Sequence, residues 1–285
     1  MVIVYLRILC YTVGNRLRGG FMNIYILTDI EGISGIYCRE QISPEGGRFD
    51  EGRRYLTREV NICAEECKKC GADKIYVRDG HGGSYSLIWD KLSADVDVAV
   101  SGITGDVRYE GLDDCDAVIL LGYHAMAGTR NAILEHTMSS AKVQNYLING
   151  KKVGELGLDA AILTDYRKPV IMVSGDDALC REAKEFLPRV TAVEVKKAAG
   201  CYGGALLAPH IAEERIREGV RKAIENFNAG IFDFYETEKP VIFRAEYTER
   251  SPLPSVRTRP YIKIIDGRTV EAEGDTVEDA LYMVL

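Results

Sequence analysis

Four phrases hold the residues of this chain whose types and spacing suit chemistry. TDIEGISG places Asp29 and Glu31 two positions apart just after an apolar run, and DGHGG, GYHAMAG and LEHTMS hold His81, His124 and His136. The chain has only 4 histidines, and these three lie beside turn glycines or acidic residues rather than in apolar surroundings. Carboxylates and imidazoles together make a donor set that holds zinc or a similar divalent ion. Such an ion polarises a carbonyl and activates water, so the set points to a metallohydrolase. His210 follows Pro209 without acidic or glycine company and is not a candidate.

These residues need a scaffold that brings them to one place. Apolar runs at 23–28, 74–78, 97–100, 117–121, 134–138, 143–148, 151–153, 170–173 and 191–195 predict strands, with further strands at 241–246, 261–265 and 269–271. Helical patterns cover 51–69, 155–164, 176–186 and 211–226, and Asp275 opens a last helix. Ser174 to Asp177 supply cap chemistry, and Asn149-Gly150 signals a tight turn. Alternation of this kind predicts an α/β fold with a largely parallel central sheet and flanking helices, plus a smaller α+β C-terminal part. The division is expected at 195/196, giving a metal-binding catalytic domain over 22–195 and the α+β part over 196–285.

On that plan Asp29 and Glu31 lie at the carboxyl end of the first strand and point the same way, because side chains alternate along a strand. Gly32 then lets the chain turn. His81 and His124 follow the strands KIYVR and AVILL. The carboxyl edge of an open α/β sheet is where ligands bind. Two carboxylates on one side of one strand end are costly unless a cation neutralises them. Glu155 in VGELGLDA falls in the first turn of a helix, where an acid also complements the helix dipole. His136 lies in a strand-like phrase off that edge, as a further ligand or as an acid/base.

Net charge is −7 in 285 residues, with no basic block, which argues against nucleic acid as a partner. No apolar run approaches the ~20 residues of a membrane span. The 8 cysteines read as reduced thiols of a cytoplasmic protein. Cys63, Cys67 and Cys70 share the spacing of some cluster ligands, but they fall on one face of a helix, the outer two ~10 Å apart along its axis. Residues 1–21 read as a dispensable extension before Met22.

The five phrases TDIEGISG, DGHGG, GYHA, EHTM and VGELGLDA, in this order between Met22 and about Asp177, resemble the zinc-dependent D-aminopeptidase (DppA-like) metallopeptidases. VSGDD also fits, and the C-terminal third is similar mainly in layout. The resemblance implies two Zn2+ per subunit. Asp29 would bridge them, Glu31 and His81 would complete one, His124 and Glu155 the other, and His136 would act directly in catalysis. It also implies a short peptide substrate with a D-residue at its amino terminus, and a homo-oligomeric decamer enclosing a chamber. Manganese or cobalt would also suit the donors. Two rival readings share these residues: an amidase or deacylase on a non-peptide substrate, and a non-catalytic metal- or peptide-binding protein. A phosphohydrolase lacks a glycine-rich phosphate cradle, and no G-x-S-x-G elbow supports a serine nucleophile.

Overall fold

The computed structural model describes residues 21–102, 108–249, 253, 255 and 259–285. The expected extension therefore lies, but for Phe21, outside the described residues. Seven strands form the first sheet, in the order β3-β2-β1-β4-β7-β8-β9. They are β1 (Asn23–Thr28), β2 (Lys74–Asp79), β3 (Val98–Val100), β4 (Ala117–Leu121), β7 (Val170–Asp176), β8 (Thr191–Ala198) and β9 (Gly204–Leu206). All neighbours are parallel except β9, which runs antiparallel to β8. The second sheet is antiparallel, in the order β11-β12-β10-β5-β6. It contains β5 (Val143–Ile148), β6 (Lys151–Val153), β10 (Val241–Tyr247), β11 (Lys263–Asp266) and β12 (Thr269–Gly274).

β1 shows why the sheet is buried on both faces. Ile24 and Ile26 pack on one side with Leu56 and Val60 of α1 (Phe49–Lys69) and Ile216 and Val220 of α4 (Pro209–Asn228). Tyr25 and Leu27 pack on the other with α2 (Glu155–Asp165), α3 (Asp177–Phe186), α5 (Val277–Val284) and the second sheet. A central parallel strand covered on both faces reads as a continuous apolar run, as this one does. Cys63 and Cys67 are buried on the core face of α1, and Cys70 caps it.

The chain passes from β1 to β2 and β3 on one side, then returns through β4 to the other. Strand order therefore reverses at β1, and the crevice above β1 and β4 is the switch point where ligands bind in such sheets. Sheet membership does not follow the expected division at 195/196. Residues 143–153 pair with the C-terminal strands, while the end of β8 and β9 belong to the first sheet, against which α4 packs. The predicted strand over 134–138 is a loop. Leu134 and Met138 have φ of 56° and 58°, in the left-handed region that no strand accommodates.

Candidate metal centre

Gly32 and Gly122 make the convergence possible. Gly32 N–H donates to the Gly122 carbonyl at 2.7 Å, and Asp29 N–H to the Leu121 carbonyl at 2.9 Å. A Cβ on Gly32 would overlap the Tyr123 carbonyl, and one on Gly122, whose φ is +76°, would overlap that of Asp29. Gly32 thus serves close backbone approach rather than a left-handed turn. Ser174 Oγ accepts from Gly122 N–H at 2.9 Å and fixes the crossing from β7.

The structure brings all six candidate residues together. Asp29, Glu31 and His81 offer ligand atoms within 4.8 Å of one another, and His124, His136 and Glu155 do the same. Asp29 joins the groups, with Oδ2 at 3.2 Å from His124 Nε2. Glu155 opens α2, and its Oε1 lies 3.3 Å from His124 Nε2 and 3.6 Å from His136 Nε2. His81 Nε2 lies 3.4 Å from Glu31 Oε1. The expectation that His136 lies off the strand-end edge is corrected. Its ring stacks on that of His124 with centroids 4.0 Å apart and planes at 12°. The left-handed turns at Leu134 and Met138, strained for non-glycine residues, fold its loop back over the edge.

Each imidazole is oriented through its other nitrogen. Nδ1 of His124 donates to the Ala125 carbonyl and Nδ1 of His136 to that of Leu134, each at 3.0 Å. A carbonyl only accepts, so the proton sits on Nδ1 and leaves Nε2 as a lone pair when the ring is neutral. His81 Nδ1 meets Ser86 Oγ at 3.0 Å.

Asp29, Glu31 and His124 are nearly inaccessible to solvent, at 6%, 2% and 1%. Burial, then the neighbouring Glu31 charge, pushes the Asp29 carboxyl up to about 8. Burial also disfavours charge on Glu31, but His81 outweighs it and holds that carboxyl well below its ordinary range. Glu155 is partly buried, which raises its carboxyl, yet His124 holds it down to about 2. His81 pays a desolvation penalty that Glu31 overcomes, raising it to about 9. Asp29 Oδ2, Glu31 Oε2 and His124 Nε2 are sealed from solvent without a hydrogen-bond partner. Orphaned ligand atoms of this kind, converging from the loops after β1 and β4, fit a divalent cation, which would satisfy them.

Residues without an obvious signature complete the site. Asp79 Oδ2 accepts from Ser86 and Leu87 N–H and shapes the His81 loop. Asp176 caps α3 through Leu179 N–H and also accepts from Ile133 N–H, each at 2.8 Å, tying down the His136 loop. Lys196 of β8 is 1% exposed. Its Nζ donates to the carbonyls of Glu31, Ile33 at 3.0 Å and Ile36 at 2.7 Å. Glu59 of α1 accepts from Ser34 N–H at 2.9 Å and from the Ser34 hydroxyl. Helical spacing could have revealed Glu59, since it lies on the apolar face with Leu56, Val60 and Cys63. Lys196 gave no such signal, because a lysine near a strand end reads as solvated.

A doubly wound α/β sheet with acids and imidazoles gathered at its carboxyl edge has the architecture of a metal-dependent hydrolase. Residues 22–285 match the D-aminopeptidase family of peptidases, and the chain belongs to that family. It is 35% identical over 210 residues to the D-aminopeptidase of Bacillus subtilis (strain 168), spanning 72% of this chain and 74% of that protein. It also superposes with a TM-score of 0.85 on the Zn-dependent D-aminopeptidase DppA from Bacillus subtilis, described as a self-compartmentalizing protease. That match has 29% identity and covers 92% of this chain and 95% of the other.

Proposed function

We propose that this chain is a binuclear zinc aminopeptidase that removes a D-amino acid from the free amino terminus of short peptides. The observation that supports it best is that Asp29, a member of one three-residue donor group, brings its buried, unpartnered Oδ2 to 3.2 Å from His124 of the other. Asp29 would bridge the ions, Glu31 and His81 would complete one, and His124 and Glu155 the other. Zinc there would supply a Lewis acid for the scissile carbonyl and a water acidified toward a pKa of ~7.

The chain's own residues do the rest. Glu31, His81 and His136 line a cleft of about 360 Å3 that also holds Arg39, Tyr85 and Tyr202, room for a short peptide. Buried carboxylates favour a cationic amine end. His136, held at Nδ1 by the Leu134 carbonyl, lines this cleft and would carry the proton from the attacking water to the leaving amine.

This hydrolysis is tested with a panel of D- and L-dipeptides assayed with and without chelator. Release of amino-terminal D-residues that stops on chelation and returns with zinc is expected. Equal turnover of L-peptides, or turnover that survives chelation, would refute the reading. We further propose a cytoplasmic homo-oligomer, the decamer being the assembly implied by the sequence resemblance. Its cytoplasmic setting is supported by the free thiols at all seven described cysteines. No helix among the described residues is long and apolar enough to cross a membrane.

A further inference from the structure

Four residues after Glu155, α2 carries a second acid, Asp159, and residues at that spacing share one face of a helix. The ligand set does not use it. Its carboxylate belongs to a residue only 1% exposed, and it accepts four hydrogen bonds. Arg108 Nε and Nη2 donate to Oδ1 at 3.0 and 2.7 Å, and the Tyr109 hydroxyl donates to the same oxygen at 2.5 Å. The Tyr123 hydroxyl donates to Oδ2 at 2.6 Å.

The two oxygens hold different parts of the molecule. Oδ1 binds the 108–109 segment, and the Tyr109 ring also meets Tyr166, the C-cap of α2, edge to face with centroids 6.2 Å apart. That side anchors the helix. Oδ2 binds Tyr123, which lies between the end of β4 and His124. Two rungs therefore cross from this strand end to α2. One is Tyr123 to Asp159, and the other is His124 to Glu155 at 3.3 Å. A cation between His124 and Glu155 would replace the second rung and leave the first in place. The rungs are close neighbours, since Tyr123, Asp159, Asp29 and Glu155 line one small space of about 40 Å3. Short hydrogen bonds to a carboxylate fix geometry, and partners behind the ligands tune metal affinity.

We propose that Asp159, acting through Tyr123, is a positioning residue that sets the spacing of His124 and Glu155 and so pre-organises the second donor group for its ion. Arg108 and Tyr109 secure Asp159 from the opposite side. The nature of the ion rests on the binuclear zinc reading.

The test titrates zinc into the metal-free protein against a competing chelator and resolves the two equivalents. Tyr123→Phe deletes the first rung and leaves the Arg108 fork in place. It should weaken one equivalent by about 10–100-fold and leave the other unchanged. Tyr109→Phe deletes a hydroxyl from the same carboxylate. It should cost comparable stability in denaturant titrations of the metal-free protein while both equivalents bind as in the wild type. Asp159→Asn should repeat the Tyr123→Phe effect. Unchanged zinc binding in Tyr123→Phe overturns the proposal. An equal loss in Tyr123→Phe and Tyr109→Phe also overturns it, because the cluster would then serve folding alone. If Asp159→Asn fails to fold, the two tyrosine variants decide. A wild-type protein that takes up a single equivalent refutes the binuclear reading instead. The positioning role then holds if Tyr123→Phe, and not Tyr109→Phe, weakens that equivalent, and fails otherwise.

Discussion

Asp29 and His136 differ in what they would lose on truncation. Asp29→Ala removes the carboxylate that joins the two donor groups, so metal content by elemental analysis and peptidase activity should fall together. His136→Ala should retain metal while kcat falls by about 10²–10⁴, the usual range for a general acid/base. Full activity with full metal in that variant would remove the proton-carrying role. Ser86 tests orientation rather than ligation. Ser86→Ala frees Nδ1 of His81, and zinc affinity in a chelator competition should weaken by about 10–100-fold. No change would mean that the Ser86 contact does not orient the ring. The strand-end placement of His81 and His124 was legible because glycine beside a scarce histidine, just after an apolar run, is a local signal. His136 read poorly because its placement depends on two left-handed residues and on Asp176, about forty residues away.

Elements set how firmly the ligands are held. β1 and β4 deliver Asp29 and His124, but the segment carrying Glu31 continues past the sheet and is gripped from below by Lys196 on β8. Lys196→Met leaves those carbonyls without a charged donor. It should weaken zinc binding by about 10–100-fold while far-UV circular dichroism keeps its native shape; unchanged affinity would show that the loop holds itself. Strands and helices were largely legible because each has a period, 2 or 3.6 residues, that its own sequence displays. The failures share a cause. The 134–138 segment is apolar enough for a strand, yet its path is defined by the N–H groups of Leu134, Ile133 and Met138, which donate to the Cys201 carbonyl and to the Asp176 and Glu155 carboxylates. The short β9 is an edge strand whose exposed residues show no apolar alternation.

For the whole molecule, the site is a cluster of buried charges that folding must tolerate. In metal-free protein His81 is raised from 6.5 to about 9 and Asp29 from 3.8 to about 8. A folded-state pKa raised above its unfolded value gives stability that is lost as pH rises through the folded value. Metal-free protein should therefore lose stability between pH 6.5 and 8 in denaturant titrations. Above pH 8, burial of Lys196, which lowers it from 10.5 to about 8, acts in the opposite direction. Zinc should reverse the trend, because its ligands bind as deprotonated groups and its affinity rises with pH. At a hundred times its dissociation constant it should add about 2.7 kcal/mol. A metal-free protein equally stable at pH 6.5 and 8 would contradict this account.

The interleaving of the two sheets has a consequence for synthesis. β5 and β6 lead directly into α2 and Glu155, yet β5 pairs with β10, and Asn149 bonds to Ile242 from 93 residues away. On a ribosome, the first donor group is complete once His81 has emerged. The strands that brace the second group are not yet made. On the binuclear reading proposed above, the nascent chain should fill its donor groups in a fixed order, the Asp29–Glu31–His81 set first. Ribosome-stalled chains ending before β10 should then bind one equivalent of zinc, and full-length chains two.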